Sequence, residues 1–116
     1  MATQQERVTP DSLAERLGTT RAWCLSNIQR LRFAPAFRTG KTALYGIDVF
    51  FALQVLQELQ ALVDDPRSSL PFRLVAANLD TLVAASKDPS AETVISLSNG
   101  KFRLVVGLRA ADLVPA

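Results

Sequence analysis

Residues 9–45 constrain the fold of this chain more than any other stretch. The segment opens Thr9-Pro10-Asp11-Ser12-Leu13-Ala14-Glu15-Arg16-Leu17-Gly18-Thr19-Thr20-Arg21 and runs down to Arg38-Thr39-Gly40-Lys41-Thr42. Thr9 is a good helix N-cap, and Pro10 falls at the first helical position, where its missing N–H costs nothing. Leu13, Ala14 and Leu17 lay an apolar stripe on that helix, and Gly18 suits the turn that ends it. Thr19 or Thr20 then caps a second helix over residues 21–31, with Cys24, Ile28 and Leu31 facing inward. The small Ala14 allows the two helices to cross closely. Pro35 cannot continue the second helix. Phe37-Arg38 and Ala43-Leu44-Tyr45 read as two short strands around a basic tip, with Tyr45 as a core anchor beneath it.

The rest of the chain supplies apolar elements that need covering. A third helix is expected over residues 48–63. Val49, Ala52, Leu53, Val55, Leu56, Leu59 and Leu62 cover more than one stripe of it, so it must bury two sides. Gln54, Gln57, Glu58 and Ala61 form its narrow wet face. Phe50 and Phe51 share that side and ask for a second surface. A turn at residues 64–69 leads to a single fourth helix over residues 70–86, with Phe72, Val75, Leu79, Leu82 and Val83 inward. Residues 93–106 read as a hairpin with a two-residue Asn99-Gly100 turn. That turn sets Leu97 opposite Phe102 and Ile95 opposite Leu104 on one face, with Ser98–Lys101 and Ser96–Arg103 on the other. Gly107 is expected to end the second strand. The apolar face needs a cover, from the fourth helix or from a second copy of the chain. The expected fold is mainly α with a small β component. It comprises a loose stretch at residues 1–8, a winged helix-turn-helix over 9–63, and an α-helix plus β-hairpin for association over 68–116.

Composition removes several classes of function. At 116 residues the chain suits one domain with its own core. It has no His and one Cys, which excludes His-based acid–base chemistry, an internal disulfide and a multi-Cys metal site. Cys24 reads as a small buried apolar residue, because no His stands by to activate it. Scattered acids such as Asp48, Asp80 and Asp112 form no pair spaced for general acid–base work. The Arg38–Thr42 stretch lacks the upstream glycine of a phosphate-binding loop. No catalytic residue, metal ligand or cofactor site is therefore nominated, and the chain is not expected to be an enzyme. No run approaches the roughly 18 apolar residues of a membrane span, and cytoplasmic residence is the default expectation. The net charge of +2 says little, but its distribution says more. Arg7, Arg16, Arg21, Arg30, Arg32, Arg38 and Lys41 face only Glu6, Asp11 and Glu15 in the first part of the chain. Positive charge thus accumulates on the helix-turn-helix and hairpin, as a polyanion-binding unit requires.

Three stretches carry a resemblance: Leu13-Ala14-Glu15-Arg16-Leu17-Gly18-Thr19-Thr20, then Phe37-Arg38-Thr39-Gly40-Lys41, then Leu44-Tyr45-Gly46-Ile47-Asp48-Val49. Together they resemble the winged helix-turn-helix of the MerR-like superfamily, a fold shared by excisionases and some antitoxins, over about residues 9–62. The resemblance implies that the second helix enters the major groove of double-stranded DNA and the hairpin touches the adjacent backbone. Thr20 and Arg21 would stand at the leading end of that helix, with Trp23, Ser26 and Asn27 on or near its exposed face and Arg38 and Lys41 on the wing. Leu25 and Ser26 stand where family members often carry Arg and Tyr. Arg16, Arg30 and Arg32 join the DNA-binding set on charge and position. Trp23 serves equally well as a packing residue. A homodimer is expected, because one recognition helix reads few base pairs. Its association surface would draw on Phe50, Phe51, Phe72, Ile95, Leu97, Phe102 and Leu104. The function implied is that of a prokaryotic or phage transcription regulator. The alternatives are an antitoxin-like repressor whose C-terminal half holds a partner protein, and an interaction adaptor that has lost DNA binding.

Overall fold

The computed structural model describes residues 8–35, 37–88, 92–98 and 103–109; for Thr39, Ser98 and the last stretch it describes the backbone alone. The architecture is mainly helical, with two small antiparallel sheets. Helix α1 spans Pro10–Leu17 and α2 spans Arg21–Arg30. Each begins on a threonine: Oγ1 of Thr9 accepts the Ser12 N–H, and Oγ1 of Thr20 accepts the Trp23 N–H, both at 3.1 Å. Gly18 ends α1 at φ 65°. Its N–H donates to the Glu15 carbonyl while that of Thr19 donates to Ala14, the paired bonds of a Schellman cap.

Strands β1 (Phe37–Thr39) and β2 (Thr42–Leu44) pair antiparallel through Thr39↔Thr42, with Gly40 at φ 60° in the tip. Val8 adds a further rung, exchanging two 2.8 Å backbone hydrogen bonds with Tyr45. Val8 is buried beside Tyr45, which corrects the expectation of a loose residue there. Helix α3 (Ile47–Val63) is the central element and packs against α2, α4 and α5. Nε2 of Gln57 donates to the Leu17 carbonyl at 3.0 Å, satisfying an acceptor left over at the end of α1.

The long fourth helix is interrupted. It forms α4 (Leu70–Ala77) and α5 (Leu79–Ser86), broken at Asn78. The break accompanies a tertiary contact. Nδ2 of Asn78 donates to the Leu74 carbonyl and to the Ser96 carbonyl, both at 2.8 Å, and its Oδ1 accepts the Ser96 N–H at 3.4 Å. The carboxamide thus acts as a one-residue strand along the edge of β3 (Glu92–Ser98). A continuous helix would point this amide elsewhere and leave Ser96 without those bonds.

Strand β3 pairs with β4 (Arg103–Arg109), shifted two residues from the expected register. Leu97 stands opposite Leu104, Ile95 opposite Val106 and Ser96 opposite Val105. Asn99-Gly100 and Phe102 lie outside the described residues. A shift of two preserves the faces, so Ile95 and Leu97 still point inward. It also carries β4 through Gly107, which does not end the strand, and brings Glu92 opposite Arg109. α4 and α5 pack on β3, so the chain covers this face itself.

One core runs through the molecule, from Val8, Leu13, Cys24 and Ile28 through α3 to Leu74, Val75, Leu82 and Ile95. Leu74 joins the expected Val75 and Leu82 among the fully covered residues, the expected Phe72, Leu79 and Val83 are only partly buried, and Leu62 is 74% exposed despite its place in the expected stripe. The wet face of α3 is narrower than expected, because Gln54 is buried. Among the described residues, no helix is long and apolar enough to cross a membrane.

Candidate nucleic-acid interface

Helix α2 divides into a covered and an open side. Cys24, Asn27 and Ile28 are buried, while Arg21, Ala22, Ser26, Gln29 and Arg30 are exposed. Arg21 and Leu25 lie one turn apart on one flank of the helix. They line a groove of about 520 Å³ together with Thr9, Pro10 and Asp11 of the α1 entry and with Arg38, Lys41, Thr42, Ala43 and Tyr45 of the hairpin. Three of the expected cations, Arg21, Arg38 and Lys41, therefore converge. Nε of Arg21 stands 3.3 Å from Oδ1 of Asp11, in a pair that is largely open to solvent.

Other expected residues are placed differently. Asn27 is 6% exposed, and its Nδ2 donates to the Trp23 carbonyl at 2.9 Å. It is a core-side residue of α2, which removes it from the outward face. Trp23 is half-buried against the core and belongs to the packing of α2. Arg30 lies nine residues beyond Arg21, roughly two and a half turns, and so on the opposite flank. Its guanidinium sits 3.9 Å from the centroid of the Phe72 ring. That cation–π contact ties α2 to α4 and occupies two residues assigned to different surfaces, Arg30 to DNA and Phe72 to dimerisation. Arg16 is exposed in the last turn of α1, where a cation complements the helix C terminus. Thr20 is exposed and caps α2, and Ser26 lies on the open face.

Arg32 is exposed and holds φ 62°, left-handed backbone that a residue with a Cβ adopts reluctantly. The cause is a second Schellman cap. The Phe33 N–H donates to Ile28 and the Arg32 N–H to Gln29, both at 3.1 Å. The same device uses glycine at the end of α1 and arginine at the end of α2.

Part of the expected association surface lies inside the monomer. Phe51 is 2% and Ile95 0% exposed, so neither can meet a second copy without opening the core. Phe50 and Leu97 are partly buried against that core. Phe102 lies outside the described residues, and Leu104 is described through its backbone opposite Leu97. Ala22 and Gln29 were missed from the sequence as members of the open side of α2. They are the complement of the Cys24/Ile28/Leu31 stripe on the same helical wheel, and that signal was available. Burial pushes the Cys24 thiol above its ordinary value, in keeping with an inert core residue.

No family model matches the chain, and no curated protein or solved structure matches it.

Proposed function

We propose that this chain is a sequence-specific DNA-binding transcriptional regulator built as a winged helix-turn-helix, similar to MerR-like regulators and excisionases. In this reading α2 enters the major groove and the β1–β2 hairpin is the wing that grips the phosphates beside it. The observation that carries it is the convergence of Arg21, Arg38 and Lys41 on one groove, along the flank of a helix whose outer side is open and whose inner side is core. Ala22, Ser26 and Gln29 are small or amide-bearing, which suits close approach to base edges, Gln29 having the donor and acceptor that adenine matches. Lys41, Arg38 and Arg32 supply the salt-dependent share of affinity. A homodimer would double the site, with half-sites about 34 Å apart or a multiple of that.

Fluorescence anisotropy with mixed-sequence duplex DNA at low and moderate salt tests the reading. Binding that weakens steeply with salt is expected. Lys41→Ala should weaken all duplexes alike and lower the salt slope by about 1. Absence of binding at low salt would overturn it and leave an interaction adaptor in front.

A further inference from the structure

We propose that Asp11 is a positioning residue for Arg21, presenting its guanidinium end-on so that Arg21 reads a guanine in the major groove. This rests on the DNA-binding reading and names what the leading end of α2 recognises. The contact at 3.3 Å is made through Nε, the nitrogen on the flank of the guanidinium. The two Nη groups at its far end form the fork that matches O6 and N7 of guanine. Both partners stand in the first turn of a helix whose start is fixed by a threonine cap, so their backbones are set independently of the pair.

Among the described residues, Asp11 is the one acid lining a groove that also holds Arg38 and Lys41. In a groove serving phosphate alone, a carboxylate opposes the ligand. Its presence is explained if Arg21 is kept from collapsing onto the backbone and aimed at a base. A stabilising staple between α1 and α2 is the weaker explanation, because the two side chains are 62% and 80% exposed and such pairs contribute little to folding. Asp11 also complements the N terminus of α1, a role that bears on helix stability and carries no sequence preference.

The experiment begins by selecting a preferred duplex from a random pool with the wild-type protein. Affinity is then measured, at one moderate salt, for that duplex, for copies carrying 7-deazaguanine at single guanines, and for the unselected pool. At one guanine per half-site, loss of N7 should weaken wild type roughly ten-fold. Asp11→Ala should lose roughly three- to five-fold in the ratio of selected to pool affinity, while binding the pool at least as tightly because a negative charge is gone. Its sensitivity to 7-deazaguanine should fall in parallel. Asp11→Asn, which keeps an acceptor oxygen without the charge, should retain more of the preference than Asp11→Ala. An unchanged ratio in Asp11→Ala, or an equal loss on both DNAs accompanied by a lower Tm, overturns the proposal in favour of helix stabilisation. Wild-type binding with no guanine sensitivity overturns it while leaving DNA binding intact. No binding to any duplex at low salt removes the DNA-binding reading itself.

Discussion

Arg32 and Gly18 occupy equivalent places in two helix caps, and the chain treats them oppositely. At Gly18 an added Cβ would meet nothing within 4 Å, so only its φ of 65° demands glycine. Gly18→Ala should therefore cost about 1 kcal/mol in a urea titration, through backbone conformation alone. Arg32→Gly should do the reverse and stabilise the fold by roughly 0.5–1 kcal/mol. If the arginine is retained for phosphate contact, the same variant should bind mixed duplex DNA more weakly and with a salt slope smaller by about 1. Stability and affinity moving in opposite directions would identify strain held for function; a gain in stability with unchanged binding would assign Arg32 no part in the interface. Cys24 is 0% exposed and should react with a thiol reagent only as fast as the chain unfolds. Its raised pKa has a definite sign. The folded state favours the neutral thiol, so this contribution is complete below the unfolded thiol's pKa and is lost as pH rises through the folded value. The stability difference between wild type and Cys24→Ala should shrink across that alkaline range.

At the scale of elements, the least expected feature is the break between α4 and α5. One side chain ties the helix end to a strand edge, and its removal should be felt at both. Asn78→Ala should cost about 1–3 kcal/mol, because the Ser96 N–H and carbonyl lose their partner. Hydrogen exchange at the Ser96 amide should accelerate well beyond the change in global stability. Exchange that tracks global stability alone would show that the hairpin is held by its own ladder and by the apolar packing of Ile95. The β1–β2 hairpin gains its anchor differently, from the Val8–Tyr45 bridge, which links the hairpin base to the segment entering α1. Hairpin and helices are thereby held in one frame, a condition for three cations from separate elements to share a groove.

At the scale of the molecule, α3 joins what the sequence suggests are two parts. The core includes Leu13, Cys24 and Ile28 from one side of the 64–69 turn and Leu74, Leu82 and Ile95 from the other. The chain should therefore unfold in one cooperative step, with calorimetric and van't Hoff enthalpies in agreement. Phe51→Ala, at the fully buried ring of α3, should cost about 3–5 kcal/mol and lower the protection of α1/α2 and of α4/α5 together. Two resolved transitions would show instead that the halves fold separately.

Local chemistry alone determined the Thr9 cap, Pro10 and Gly18 around α1, a cap on α2 at Thr19 or Thr20, the inward stripe of Cys24, Ile28 and Leu31, the hairpin over residues 37–44 and the long apolar third helix. Each depends on neighbours a few residues apart, where capping, periodicity and turn preference act. The convergence of Arg21, Arg38 and Lys41 was legible only as a list of cations. Their shared groove, the stacking of Arg30 over Phe72 and the inward turn of Asn27 depend on how elements pack. The same holds for the helix break at Asn78 and the two-residue shift of the β3–β4 ladder. Tertiary structure decided these because a partner distant in sequence offered a buried amide, an aromatic face or an apolar cover that local preference cannot register.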